Sequence, residues 1–266
     1  MKLETFRRRH RPRTVRAANL NWRVIQTRGS GKRAPVLVML PGTLGTAEIF
    51  WNQIAALGKR VRIVSVTYPE IGDIKRLADG LAALLDRLGV DKASFVGSSL
   101  GGFLGQWFAA RHPERVERLF IGNSLLDPKK VNPARRKPAA LRRLPGKAHR
   151  RIVLGSVASW SEPEPVFAKL KVILHHSGTR LISARALKAR VLAVASSKAV
   201  PALKLPASRI VIIDSDDDPL IPASTRKAMR KTYKGAKSHN FKIGGHYPYI
   251  TRPKQYTDVL KRHILG

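Results

Sequence analysis

Three residues of this 266-residue chain have the types and setting for acyl-transfer chemistry: Ser99, Asp218 and His246. Ser99 stands in Gly97-Ser98-Ser99-Leu100-Gly101, a G-x-S-x-G pattern. A serine on a very sharp strand-to-helix turn sits in strained backbone geometry, so the residues two before and two after it must be small. The apolar Ser94-Phe95-Val96 leads into the turn, and a helical run with Leu100, Phe103, Leu104, Trp107 and Phe108 leaves it. A hydroxyl of this kind needs a base. Among eight histidines, His246 in Gly244-Gly245-His246-Tyr247-Pro248 is best placed, after the last expected strand and before the last helix. The others fall in the basic N-terminal stretch (His10), at a helix end (His112), in a helical insertion (His149, His175, His176) or at expected surface positions (His239, His263).

An acid should orient the imidazole. Asp214-Ser215-Asp216-Asp217-Asp218-Pro219 follows a buried strand, and Asp218, just before Pro219-Leu220-Ile221-Pro222, is the first candidate. Asp216 and Asp217 are rivals, and Asp127, beyond the strand ending at Gly122, is a second alternative. The order Ser, Asp, His is that of the α/β-hydrolase fold rather than of other triad folds. Two backbone N–H groups should stabilise an oxyanion: that of Leu100 and one from the loop after Leu40, with Thr43 ahead of Leu44.

These residues need a scaffold of strand ends. From residue 19 onward, short apolar runs alternate with helical periods, which predicts a mostly parallel sheet with helices on both faces. Asn19–Thr27 reads as an antiparallel edge strand, and Val36–Leu40 as a strand buried on both faces. Thr46 is read as an N-cap for the helix carrying Ile49, Phe50, Gln53 and Ile54. Residues 128–205 lose the alternation and keep only helical periods, so we expect a helical cap inserted into a core of residues 19–127 and 206–266. Residues 1–18, rich in Arg, are expected to form a mobile basic arm.

The segments GTLGTAEIFWNQI, FVGSSLGGFLGQWFA, IGNSLLD, RIVLG and FKIGGHYPYITR together resemble maspardin and its bacterial relatives. The resemblance implies an α/β-hydrolase fold with a helical cap and a serine at position 99. It does not imply catalysis, because animal maspardins are regarded as binding proteins lacking the acid and the histidine. This chain differs in having Asp218 and His246. The expected function is a serine hydrolase for an ester, thioester or activated amide. The alternatives are a non-catalytic maspardin-like binding or adaptor protein and a cofactor-free haloperoxidase or perhydrolase.

Charge and composition bound the partners. With 51 Lys and Arg against 17 Asp and Glu, the formal charge is +34, spread along the chain. Such a charge favours non-specific binding to nucleic acid or anionic lipid, and nothing resembles a base-reading module. The densest basic stretches are Arg7–Arg16 and Arg135–Arg151. The absence of cysteine excludes disulfides and thiolate chemistry, and neither a metal nor an organic cofactor is called for. No apolar run reaches the length of a membrane span and no secretory signal opens the chain, so a cytoplasmic location is expected.

Overall fold

The computed structural model describes residues 1–31, 33–131 and 138–266. Eight strands form one sheet: β1 (Arg13–Ala17), β2 (Leu20–Gln26), β3 (Val36–Leu40), β4 (Arg62–Thr67), β5 (Ala93–Ser98), β6 (Val116–Gly122), β7 (Ile210–Ser215) and β8 (Lys237–Phe241). Their spatial order is β1-β2-β4-β3-β5-β6-β7-β8. Only the β1–β2 and β2–β4 pairs are antiparallel; the other pairs are parallel. This is the α/β-hydrolase fold, on the mostly parallel sheet that the alternation predicts.

The central strands carry no polar face because both sides are covered. Val38 and Leu40 point into one core with Val64, Phe95 and Leu119, whereas Leu37 and Met39 point into the other with Ile63, Val96 and Phe120. On the first face lie α3 (Ile74–Arg87), α4 (Leu100–Arg111) and α10 (Ala223–Thr232). On the second lie α1 (Leu3–Arg9), α2 (Trp51–Leu57), α11 (Pro248–Thr251) and α12 (Pro253–Ile264). Asp73 begins α3 by accepting from Lys75 and Arg76 N–H, and Gly89 beyond its end has φ +62°, as a helix-terminating glycine should. Among the described residues no helix is long and apolar enough to cross a membrane.

Three readings of the N-terminal third need correction. Residues 1–18 are not a mobile arm: they contain α1, whose Phe6 is fully buried, and β1, which pairs along its length with β2. Arg7 also forms an ion pair with Glu48. The basic composition hid one aromatic anchor and a two-residue turn, Ala18-Asn19, with both residues at positive φ. In consequence β2 is an inner strand and β1 the edge. Thr46 is not the cap of α2, which starts only at Trp51; the backbone from Thr46 to Phe50 is occupied by successive turns, with Ile49 N–H donating to Thr46 C=O.

Between β6 and β7 the chain forms α5 (Pro128–Val131), α6 (Pro138–Arg143), α7 (Gly146–Ala158), α8 (Pro165–His176), a π-turn (Ser177–Leu181) and α9 (Ala184–Ala195). We refer to this segment as the cap. Part of the basic stretch 135–151 falls in 132–137, outside the described residues.

Candidate active site

The turn from β5 into α4 is dictated by its glycines. Ser99 has φ 54° and ψ −117°, a region an L-residue enters only under constraint. A Cβ on Gly97 would stand 2.2 Å from Gly101 O, and one on Gly101 would stand 1.9 Å from Leu40 O. Neither contact has a flexible side chain that could yield. The strain is held by two bonds from the next strand end: Ser99 N–H donates to Gly122 O at 2.8 Å, and the Ser124 hydroxyl donates to Ser99 O at 2.8 Å. Ser99 therefore sits immediately before the first turn of α4, where N–H groups lack intrahelical acceptors and the helix dipole is positive.

His246 is buried on the loop between β8 and α11, and its Nδ1 lies 2.9 Å from both Asp218 oxygens. An ionised carboxylate only accepts, so Nδ1 carries the proton and Nε2 is left as the basic nitrogen. Asp218 also accepts from Asn123 Nδ2 at 2.7 Å, Leu220 N–H at 2.8 Å and Ile221 N–H at 3.1 Å. Burial alone would raise this carboxyl. The His246 charge and hydrogen bond, the Asn123 amide and the Leu220 N–H outweigh it and hold the group below the usual carboxylate range.

The rival acids are engaged elsewhere. Asp217 accepts from Gly244 and Gly245 N–H, both at 2.8 Å, and so holds the loop that carries His246. Asp216 accepts from Asn240 and faces Lys242 and Arg226 on the surface. Asp127 accepts from Lys129 N–H at 3.0 Å at the start of α5. The His246 loop needs its glycines: Gly245 has φ +60°, and a Cβ on Gly244 would stand 2.5 Å from Ser215 Oγ.

Ser99, His246, Thr43 and Leu100 line one cavity of about 340 Å³. Its remaining wall is mostly apolar and comes from both the core and the cap, including Leu125, Ile152, Val157, Trp160, Val191 and Leu220. The Trp160 indole stands edge-on to the His246 ring, with centroids 6.1 Å apart. Among the described residues no Lys, Arg, Asp or Glu lines it.

The loop after β3 carries both candidate oxyanion donors, Thr43 and Leu44, and both residues line the cavity. Gly45 N–H donates to Gly42 O at 2.9 Å, closing a tight turn. The Gly42 carbonyl is thereby turned away, so the Thr43 N–H of the same planar peptide points the opposite way. Sequence reasoning missed Asn123, the loop-holding role of Asp217, and Arg190 on α9, a fully buried guanidinium touching this same loop. Asn123 had a signal, since it directly follows the end of β6 beside the elbow strand. Arg190 had none, being one of 51 basic residues. Among the described residues no group of three or more His, Asp or Glu is arranged to hold a metal ion.

Residues 37–259 match the model of the alpha/beta hydrolase family. The chain belongs to that family. It is maspardin-like over most of its length: it is 30% identical to maspardin of Homo sapiens over 234 residues, covering 86% of this chain and 74% of the relative. It is 25% identical to the putative carbamate hydrolase RutD of Yersinia enterocolitica over 271 residues, covering 89% and 90% of the two chains. The crystal structure of the enol-lactonase from Burkholderia xenovorans superposes with a TM-score of 0.75, at 20% identity over 96% of this chain and 100% of the other. As an alpha/beta hydrolase, the chain thus has relatives named for hydrolysis and relatives named maspardin.

Proposed function

We propose that the protein is a serine hydrolase that cleaves a neutral ester or similarly activated acyl compound through an acyl-enzyme on Ser99. The observation that carries this reading is the buried His246–Asp218 pair, whose histidine shares an apolar cavity with the strained Ser99. Ser99 Oγ attacks the acyl carbon while its proton passes to His246 Nε2. The oxyanion is held by the N–H groups of Leu100 and Thr43. Collapse breaks the bond to the leaving group, which takes the proton from His246. Water then repeats the sequence on the acyl-enzyme, regenerating Ser99 and releasing the acid.

The cavity supports a neutral, apolar acyl group of modest size. Its volume lies near the lower end of the range for small-molecule sites, roughly 300–1,000 Å³. Its wall offers no described cation to an anionic substrate. Hydrolysis also fits the names of the putative carbamate hydrolase and of the structurally similar enol-lactonase. The surface charge is a separate matter, and we assign to it only generic, salt-sensitive attraction to polyanions.

The test is covalent labelling by a fluorophosphonate. The expected result is one phosphonyl adduct on Ser99, absent from Ser99→Ala, together with turnover of p-nitrophenyl butyrate lost in the same variant. An unlabelled Ser99 and no turnover across a panel of acyl chain lengths would overturn the enzyme reading in favour of a binding protein.

A further inference from the structure

Every carbonyl of the loop Pro41–Gly45 is tied down. The Tyr68 hydroxyl donates to Pro41 O at 2.7 Å, Gly45 N–H to Gly42 O, and the Ser177 hydroxyl to Leu44 O. Arg190 Nη1 donates to both remaining oxygens, Thr43 O at 3.0 Å and Gly45 O at 2.7 Å. Gly42 O is held by the turn, so the Thr43 N–H of the same planar peptide points the opposite way, and Thr43 lines the cavity. Two of these ties come from the cap: Arg190 from α9 and Ser177 from the π-turn. Gly178 reinforces the contact, since a Cβ there would stand 2.9 Å from the Leu44 side chain.

Arg190 is an expensive way to hold a loop. It is 1% exposed, and among the described residues no carboxylate pairs with it. Its guanidinium rests over the Tyr68 ring at 5.5 Å, and its Nε has no partner. A buried, unpaired cation costs stability unless dipoles replace the lost water. Here the replacing dipoles are the Thr43 and Gly45 carbonyls and the Tyr68 ring face. Burial lowers the guanidinium to about 10, so it remains a cation at neutral pH. Arg190 does not line the cavity and so would not touch substrate.

We propose that Arg190 is a positioning residue: from the cap it clamps the Thr43–Gly45 turn and aims the Thr43 N–H at the oxyanion, so the cap is part of the catalytic apparatus and not only a cover. The inference rests on the hydrolase reading above. It differs from a packing role in what it predicts. A mis-aimed donor weakens binding of the oxyanion and leaves ground-state binding alone, and loss of one oxyanion donor costs about 10²–10³ in turnover.

The experiment compares wild type, Arg190→Gln, Arg190→Lys and Ser177→Ala by three measurements. The first is kcat and KM on p-nitrophenyl butyrate. The second is inhibition by an alkyl trifluoromethyl ketone, which forms an oxyanion adduct, against the unfluorinated ketone, which does not. The third is amide hydrogen exchange of the peptide spanning residues 41–47. For Arg190→Gln we expect kcat to fall about 100-fold with KM little changed, trifluoromethyl ketone affinity to fall in parallel, plain ketone affinity to hold, and exchange of 41–47 to quicken. Arg190→Lys, which keeps the charge on a side chain one atom shorter than the arginine's reach to Nη1, should fall between. Ser177→Ala should show the same pattern more weakly, and it decides the matter if Arg190→Gln does not fold. Wild-type kcat in the folded variants, equal losses for the two ketones, or unchanged exchange of 41–47 would overturn the clamp. Failure of wild type to react with fluorophosphonate would overturn the hydrolase reading instead, and the exchange measurement would still decide whether Arg190 holds the loop.

Discussion

Replacing Asp218 with asparagine changes one atom and tests the geometry of the whole site. Asp218 Oδ1 accepts from Leu220 and Ile221 N–H, and Oδ2 accepts from Asn123 Nδ2, while both oxygens face His246 Nδ1. An asparagine keeps its single oxygen for the two backbone donors, which places its NH₂ against Asn123 and His246. His246 Nδ1 must then accept, and the ring proton moves to Nε2, where the base is needed. The wrong tautomer costs about 10⁴ in kcat, or about 5.4 kcal/mol of activation free energy at 1.36 kcal/mol per decade. Stability should suffer far less. The Asn123 oxygen is buried and has no partner, so a flip of that amide would present an acceptor to the new NH₂. The loss should then stay near 1 kcal/mol, the worth of one neutral hydrogen bond. The assay is kcat and KM on p-nitrophenyl butyrate beside thermal melting. Asp127→Asn serves as the comparison and should leave kcat within about twofold, because Asp127 only caps the exposed start of α5 at a typical worth of about 1 kcal/mol. A kcat for Asp218→Asn within tenfold of wild type, or a large loss in Asp127→Asn, would refute the assignment.

Further outcomes follow from the same structure. Because the Asp218 carboxyl is held below its unfolded value, its ionised form stabilises the fold above about pH 4, and that contribution is lost as pH falls through the folded value; the stability gap between wild type and Asp218→Asn, followed by denaturant melts, should therefore narrow on acidification below about pH 4, and a gap that widened would reverse the sign argued here. Phe6→Ala should destabilise by about 3–5 kcal/mol, since the ring is fully buried in the core that α1 shares with α2; a melting temperature equal to wild type would restore the mobile-arm reading. Labelled oligonucleotides of unrelated sequence should bind with affinity that falls steeply with salt and without preference among them; binding that survives high salt, or one sequence favoured many-fold, would make nucleic acid a dedicated partner.

Local chemistry was enough to read several parts of this protein from its sequence. Gly97, Ser99 and Gly101 point to an elbow because an apolar strand enters the spacing and a helical run leaves it, and the backbone path there has no room for a Cβ at either glycine. The buried strands declare themselves because a strand covered on both faces has no polar residue to place, as in Val36–Leu40 and Ile210–Ile213. The order of Ser99, Asp218 and His246 follows from where strands end. Among residues of identical type the sequence offered a ranking, with Asp218 ahead of Asp216, Asp217 and Asp127, but no geometry to fix it. Four aspartates within five positions differ only in which direction the β7 turn sends each side chain, and tertiary structure alone sends Asp218 to His246 and Asp217 to the glycine loop. The N-terminal segment failed for a related reason: its fold depends on one buried ring among many charges, and burial is a property of the partner surface. Arg190 is the extreme case. Nothing local distinguishes it from fifty other basic residues, and its meaning comes entirely from two carbonyls some 145 residues away in the chain.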